Sequence, residues 1–371
     1  MYHRALDRRH FLGGAATALA LAPLGAHAAA RRADHLWRDS IVIDGNLVAP
    51  FDPDAPLDAA TARQIRASGL TALKMTIGGA AGSFAEAEEM IDMLDRAIAM
   101  SPSLYLKIAT ASDLLAAKRS RRVGIVYSFE AASMLDGKSA NVAHFASRGV
   151  RVMGLSYNGT SPFASGVMST VPAQGLTALG REAVAAMNEH GVTLDLSHSD
   201  ELSSLAAVAA STRPVAITHA GCAAVHAHPR NKSDRLLRAV SDAGGVTGIY
   251  ELCFISAGPR QQSIEDYMAH LLHALRVCGE DHVGIGSDAL LTPFDTSPAS
   301  MAEWDKDILA RKAQGVAAPG EGRPPFVTGL NRADRSRVIA EQLERRGQPL
   351  RVIEKILGAN FQRLFEQSWG G

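Results

Sequence analysis

Short apolar runs alternate with segments of helical periodicity from about residue 36 onward. The apolar runs lie at 41–45, 70–77, 123–130, 150–157, 192–198, 215–219, 246–251 and 283–288. Helical patterns between them include 59–67, 84–99, 179–189, 202–210, 233–243 and 264–277. Strands that alternate with amphipathic helices indicate parallel βαβ units, and eight such strands favour a closed (β/α)8 barrel over an open sheet.

The alternation of apolar runs and helical segments stops after the eighth apolar run. Residues 290–330 are rich in Pro, Gly, Ala and Ser, which predicts a long loop with one helix near 301–313. Loops of that length beside a barrel mouth usually cover a binding site. Helical patterns at 332–346 and 350–367 then complete the chain. We therefore predict an α/β fold in which residues 31–371 form one (β/α)8 domain with extra C-terminal helices.

Four of the predicted strands end in an ionisable side chain. VGIVYSFE ends at Glu130, VTLDLSH at His198, VAITH at His219 and HVGIGSD at Asp288. The carboxyl ends of barrel strands meet at the mouth, where the active sites of such barrels are found. Glu, His and Asp are ligands that hold Zn²⁺ or a similar divalent ion while leaving a position for water. The pattern predicts a metal-assisted active site.

Composition narrows the classes of function. The chain has 371 residues, 47% of them hydrophobic and 20% charged, with 38 basic and 38 acidic side chains. This neutral balance, without a basic stripe, argues against a nucleic-acid partner or a membrane-surface role. No Gly-x-Gly-x-x-Gly follows the first strand, so a dinucleotide fold is not favoured. The three cysteines are too scattered for a disulfide framework, and we expect buried thiols with at most one bridge.

The N-terminus has the features of an export signal. Arg8 and Arg9 precede Phe-Leu, a short apolar stretch covers 13–24, and an Ala-rich segment follows at 26–30. A basic start, a short apolar region and an A-x-A-like end are typical of a signal peptide, and the stretch is too short to span a bilayer. We predict a twin-arginine-type signal over residues 1–30, a periplasmic location and no membrane span in the mature chain. The alternative is a disordered basic start.

Several blocks resemble the membrane dipeptidase (renal dipeptidase, peptidase M19) family. Residues 175–198 read GLTALGREAVAAMNEHGVTLDLSH, and residues 218–234 read THAGCAAVHAHPRNKSD. HVGIGSD at 282–288 is similar to the eighth strand of the family, and GANF at 358–361 is similar to its C-terminal signature. The resemblance runs from about residue 36 to the end. It implies a (β/α)8 metal hydrolase that cleaves dipeptides, including those with a D-residue at the C-terminal position, with two zinc ions bridged by a glutamate.

The resemblance also implies a role for individual residues. Glu130 would be the bridging carboxylate, with His198 and His219 the other ligands of one zinc ion. Bound zinc lowers the pKa of its water to about 7, so hydroxide exists near neutral pH. Asp288 matches the acid/base aspartate of the family. Arg230 matches the residue that receives the terminal carboxylate of the substrate, a task that suits the guanidinium fork.

The first strand departs from the family. Members normally have Asp-Gly-His-x-Asp there, whose His and second Asp hold the other zinc, but residues 44–48 read DGNLV. Val48 cannot bind a metal, and Asn46 offers only a weak neutral amide. One zinc ion is therefore expected, with two as the alternative. Tyr157, followed by Asn158, replaces a histidine that contacts the reacting carbonyl, and its hydroxyl can still donate to an oxyanion.

Each candidate residue also has a structural alternative. His198 or His219 taken singly could be a hydrogen-bonded structural histidine. Asp288 could cap a helix N-terminus, and Arg230 could lie at the surface beside a turn. Lys74, in the second strand, is predicted to point outward with its amine in water.

Two functions follow from these patterns. The first is a zinc-dependent metallodipeptidase acting on small peptides or related amides, with a homodimer expected from the family alone. The second is a dipeptidase scaffold that has lost metallopeptidase activity and binds or modifies a peptide-derived metabolite.

Overall fold

The computed structural model describes residues 32–169 and 174–370. The predicted export signal at residues 1–30 lies outside the described residues, so it stays a prediction. The strands are β1 (Ile43–Asp44), β2 (Leu47–Val48), β3 (Ala72–Thr76), β4 (Tyr105–Lys107), β5 (Val123–Phe129), β6 (Val150–Gly154), β7 (Thr193–Asp195), β8 (Ala216–Ala220), β9 (Val246–Ile249), β10 (Val283–Ile285) and β11 (Ala289–Leu290).

The helices surround these strands. They are α1 (32–39), α2 (Ala59–Ala67), α3 (Phe84–Met100), α4 (Ala111–Ser120), α5 (Asn141–Ser147), α6 (Ala178–Glu189), α7 (Glu201–Ala210), α8 (Asp234–Asp242), α9 (Ile264–Cys278), α10 (Pro298–Ala313), α11 (Arg335–Arg345), α12 (Leu350–Glu354) and α13 (Asn360–Trp369). A π-helical turn, Lys355–Ala359, joins the last two.

Eight parallel strands close into a barrel. The ring runs β1, β3, β5, β6, β7, β8, β9, β10 and returns to β1 through the pair Asp44 and Ile285. These are the eight strands expected from the apolar runs, so the predicted (β/α)8 fold is confirmed. Sequence patterns missed β4, which pairs with the first part of β5 outside the ring, and the short pair β2–β11 at the mouth.

Helix α3 shows how the local sequence forms these elements. Ser83 Oγ accepts a hydrogen bond from the Glu86 backbone N–H at 3.3 Å, and Glu86 Oε2 accepts one from the Ser83 N–H at 2.8 Å. This capping box satisfies two backbone donors that the helix leaves unpaired. Ala87, Ile91 and Leu94, spaced by three and four residues, are its buried face.

The C-terminal helix closes the bottom of the barrel. Phe361, Phe365 and Trp369 of α13 pack with interior strand residues such as Val126 and Val246. Trp369 Nε1 also donates to Thr193 Oγ1 at 2.9 Å. With the bottom filled by apolar side chains, the polar residues of the lumen lie toward the opposite, carboxyl end of the strands.

One glycine shows how narrow the lumen is above the apolar side chains of α13. A Cβ at Gly286 would lie 1.8 Å from the Thr218 carbonyl oxygen. Only glycine allows that approach, so the loop from β10 to Asp288 can run close beside β8.

Candidate active site

Four strand-end side chains come together at the barrel mouth. Glu130 directly follows β5, His219 lies in β8, and His198 and Asp288 each come three residues after a strand. His198 Nε2 is 3.0 Å from His219 Nε2 and 3.6 Å from Glu130 Oε2. His219 Nε2 is 3.9 Å from Asp288 Oδ2. Residues that are far apart in sequence therefore form one cluster.

The hydrogen bonds of His198 define its tautomer. Asn158 Nδ2 donates to the Val316 carbonyl at 2.9 Å, so Asn158 Oδ1 faces His198 Nδ1, at 3.0 Å. Nδ1 therefore carries the hydrogen, which it donates to Oδ1. Arg230 Nη2, which can only donate, lies 3.2 Å from Nε2. With its hydrogen on Nδ1, His198 has a lone pair on Nε2, and the Arg230 donor beside it is consistent with Nε2 being an acceptor.

His219 is oriented in the same way from below. The Thr218 hydroxyl donates to Asp195 Oδ2 at 2.5 Å, so its oxygen accepts from His219 Nδ1, which is 2.9 Å away. The Nε2 lone pair of His219 then points into the cluster. A partner that holds the second ring nitrogen is the usual support of a metal-binding histidine.

This arrangement suits a cation. Two nitrogen lone pairs face each other across 3.0 Å, with a carboxylate beside them. Lone pairs at that distance repel unless a proton or a metal ion lies between them. Burial, together with the charges of Arg230 and Lys74, lowers the pKa of both imidazoles well below 6.5, which favours their neutral forms. Neutral imidazole is the form that binds metals. Glu130, His198 and His219 therefore fit a divalent ion, each offering one atom within 4.8 Å of the others.

Glu130 lies among hydrogen-bond donors. Its Oε1 accepts from Asn46 Nδ2 and Thr76 Oγ1, both at 2.8 Å, and lies 3.4 Å from Lys74 Nζ. Burial by itself would raise the pKa of Glu130, but Lys74 and these hydrogen bonds more than offset it, and the pKa is lowered. The carboxylate is therefore ionised at neutral pH.

Lys74 contradicts its sequence-based prediction. Its side chain is fully buried, and Nζ donates to Asn46 Oδ1 at 3.0 Å and lies 3.7 Å from Asp195 Oδ2. The predicted outward orientation was wrong because Lys74 lies on the same, inward side of β3 as Ala72 and Thr76. Ala72 packs in the apolar cluster that includes α13, and Thr76 contacts Glu130. The alternation of side chains along a strand could have revealed this.

Asp288 is not a helix cap, because β11 follows it directly. Its backbone has φ +52°, and its N–H donates to the Asn46 carbonyl at 2.7 Å. Asn46 Nδ2 donates to its Oδ1 at 2.8 Å. Desolvation and the neighbouring Glu130 raise the pKa of Asp288 to about 7, against the opposing charges of Arg230 and Lys74. The side chain stays 25% exposed, so this carboxyl group is reachable from the mouth.

Arg230 and Tyr157 border the cluster on the side of His198. Arg230 is 1% exposed and donates through Nη1 to the Ser197 carbonyl, so the surface alternative was wrong. The Tyr157 ring stacks on His198 with 4.0 Å between centroids. Desolvation and the charge of Glu130 raise the pKa of Tyr157 to about 12, so its hydroxyl keeps its proton.

The long loop after β10 reaches over this edge. Arg311 of α10 donates to the Tyr157 hydroxyl at 3.4 Å and pairs with Glu321. Asn158 ties the same loop to His198 through the Val316 carbonyl. Sequence patterns placed α10 near the mouth and Tyr157 with Asn158 at a strand end beside the site, but no local signal identified Arg311 as a neighbour of the site. The contacts of Arg311 with Tyr157 and of Asn158 with Val316 each join residues more than 150 positions apart.

The first-strand loop carries the departure from the family pattern. Asn46 lies buried between Glu130 and Asp288, whereas the Val48 side chain is 51% exposed. The two positions at which the sequence resemblance implies metal ligands therefore carry an amide and an apolar side chain.

Comparison with known proteins identifies the family. The family model for membrane dipeptidases (Peptidase family M19) matches residues 30–306. The chain belongs to this family. The sequence-based resemblance is thereby confirmed.

Individual relatives agree with this assignment. The chain is 27% identical over 290 residues to an uncharacterized protein in the pqqA 5' region of Klebsiella pneumoniae, covering 76% of this chain and 95% of that protein. It is 28% identical over 273 residues to the uncharacterized dipeptidase C965.12 of Schizosaccharomyces pombe, covering 71% of this chain and 65% of that protein. Family and relatives together support a dipeptidase-like hydrolase.

A solved structure is similar over most of the chain. An amidohydrolase from Pseudomonas aeruginosa superposes with a TM-score of 0.78 and 27% identity, covering 91% of this chain and 99% of that one.

Across residues 32–169 and 174–370, no helix combines the length and hydropathy needed to cross a bilayer.

Proposed function

We propose that this protein is a metal-dependent dipeptidase-like hydrolase that binds one zinc ion and cleaves small peptides with a free C-terminal carboxylate. The observation that carries the proposal is the cluster of Glu130, His198 and His219, whose ring tautomers leave both Nε2 lone pairs directed at one point. Three protein ligands with an open position are typical of catalytic zinc sites.

A bound divalent ion would supply Lewis-acid chemistry, lowering the pKa of a coordinated water to about 7. The remaining steps belong to the chain itself. Asp288 Oδ2 lies 3.9 Å from His219 Nε2, and its pKa of about 7 suits a group that takes a proton at neutral pH and returns it to the leaving amine.

Arg230 supplies the charge for substrate orientation. Its guanidinium donates through Nη1 to the Ser197 carbonyl, which holds the cation beside the cluster, and an ion on His198 Nε2 would leave the Nη2 donor for a substrate. A fork of N–H donors binds a carboxylate in a defined plane. Tyr157, held by stacking on His198, presents a protonated hydroxyl that can donate to the carbonyl oxygen under attack.

A second function has an observation in its favour. Asn46 and Val48 replace two metal ligands of the family, and Lys74 places a fixed charge beside Glu130. A scaffold changed in this way could bind or modify a peptide-derived metabolite without hydrolysing it. The two functions differ in whether dipeptides are turned over.

A dipeptide panel tests the proposal. We expect the zinc-loaded protein to hydrolyse dipeptides with L- or D-residues at the C-terminal position and to discriminate against the same dipeptides as C-terminal amides. Arg230→Ala should raise KM for free dipeptides by about 10- to 100-fold, since a hydrogen bond to a charged group is worth about 1.5–3 kcal/mol. It should also lose most of the preference over the amides.

The exposed Arg235→Ala on α8 is the matched control and should leave both KM values unchanged. If folded, metal-loaded wild type cleaves none of the panel, the dipeptidase proposal fails and the binding scaffold takes its place.

We also propose export to the periplasm by a twin-arginine route, on the strength of Arg8, Arg9 and the Ala-rich segment that follows. The mature chain would begin near residues 29–31. Arg8→Lys combined with Arg9→Lys should leave the precursor in the cytoplasm, as fractionation and immunoblotting would show. Unchanged export of the double variant would contradict the twin-arginine assignment.

A further inference from the structure

Lys74 is a buried cation that the proposed reaction does not use. Its ammonium lies inside the barrel, 3.4 Å from Glu130 Oε1 and 3.7 Å from Asp195 Oδ2. Its whole side chain is inaccessible to solvent. A buried ammonium is costly unless carboxylates compensate it, and here two of them do. A lysine buried at such a position calls for a reason beyond packing.

Lys74 decides which way the Asn46 amide points. An ammonium group only donates, so the amide atom 3.0 Å from Nζ is the oxygen. The amide nitrogen then faces the opposite way and donates to Glu130 Oε1 and Asp288 Oδ1, both at 2.8 Å. Asn46 therefore presents hydrogen atoms, and no lone pair, to the space where a metal ion would need a ligand.

Protein donors also engage one of the two oxygens of the Glu130 carboxylate. Glu130 Oε1 accepts hydrogen bonds from Asn46 and Thr76 and lies 3.4 Å from Lys74 Nζ, whereas Oε2 lies 3.6 Å from His198 Nε2. A carboxylate that bridges two ions has to give one oxygen to each. In this chain Oε1 is already engaged by protein donors, which leaves one oxygen for one ion.

We propose that Lys74 takes the place of one of the two metal ions of the dipeptidase family. Its charge neutralises Glu130 and Asp195, and through Asn46 it holds the Glu130 and Asp288 carboxylates in their places. Lys74 is thus a positioning residue, and the inference rests on the proposed function in using the same site. It follows that restoring the family ligands at positions 46 and 48 is not enough to bind a second ion, because the ammonium would still repel it.

Metal stoichiometry tests this without relying on activity. Wild type, the double variant Asn46→His with Val48→Asp, and the triple variant that adds Lys74→Met would each be saturated with Zn²⁺, freed of excess and analysed for metal content. Titration with Co²⁺, followed by visible absorption, gives an independent end point. We expect about one ion per chain in wild type and in the double variant, and about two in the triple variant.

A matched control distinguishes the effect of the Lys74 charge from the effect of removing any buried lysine. Lys232 is also buried, and its Nζ donates to the Ser199 carbonyl at 2.7 Å, away from Asn46. Adding Lys232→Met to the double variant should leave one ion per chain. Thermal unfolding checks that each variant is folded. If the triple variant is not, Lys74→Gln in the same background replaces it, because glutamine is neutral but can still donate to a carboxylate.

Two results would overturn the inference. One is a second ion bound by the double variant with Lys74 still present, and the other is a folded triple variant that stays at one. A wild type that binds no metal would instead defeat the proposed function. The role of Lys74 would then be decided by whether the triple variant binds one more ion than the double variant.

Discussion

Asp288→Asn is expected to lower kcat by about 10²–10⁴-fold, the range that a positioned acid or base contributes. Asparagine has nearly the same shape, and its amide oxygen can still accept the hydrogen bond that Asn46 gives to Asp288 Oδ1. What it lacks is the ability to take a proton and return it to the leaving amine. The dipeptide assay would show the loss in kcat, with KM changed much less.

Metal content distinguishes this result from damage to the site. Asp288 is not one of the three proposed ligands, so the variant should bind as much zinc as wild type. Asp305→Asn, an exposed change on α10, is the matched control and should keep full activity. Should Asp288→Asn retain kcat within a few-fold of wild type, another group handles the proton and the proposed role is wrong.

His198→Ala combined with His219→Ala is expected to abolish stoichiometric metal binding, from about one ion per chain to none, and hydrolysis with it. The two imidazoles supply two of the three ligand atoms, and Glu130 alone cannot hold a zinc ion tightly. Elemental analysis of the protein purified without added metal, followed by the dipeptide assay with and without zinc, measures both effects.

Both histidines are buried, so folding has to be checked beside metal content. The exposed pair His35→Ala with His190→Ala removes the same number of imidazoles from the surface and should keep the bound ion. A folded His198→Ala, His219→Ala variant with undiminished zinc would show that the metal lies elsewhere, and the proposed site would be lost.

The barrel was readable from the sequence because its signals are local. A buried parallel strand is a short apolar run, and a helix on the outside carries an apolar face every three or four residues. The bounds of α2, at Ala59–Ala67, agree with the pattern at those positions. Elements with weaker local signals were missed, among them β4, three residues long, and α5, seven residues long.

The candidate ligands were readable for a related reason. In a closed parallel barrel every strand ends at the same mouth, so a polar residue at the end of an apolar run is expected to lie at that mouth. Glu130, His198, His219 and Asp288 were found in this way, without knowledge of which strands pair. The family motifs then assigned a role to each.

The sequence by itself therefore determined the fold class, the family and the residues that reach the mouth, because these depend on local periodicity and on the ends of single strands. Only the tertiary structure decided the state of those residues. The tautomer of His198 depends on Asn158 and Val316, and the orientation of Asn46 depends on Lys74, 28 residues away. Hydrogen bonds and charges of this kind act over a few ångströms between segments distant in the chain. Their partners are set by the closure of the barrel and the placement of its loops, which no stretch of sequence specifies alone.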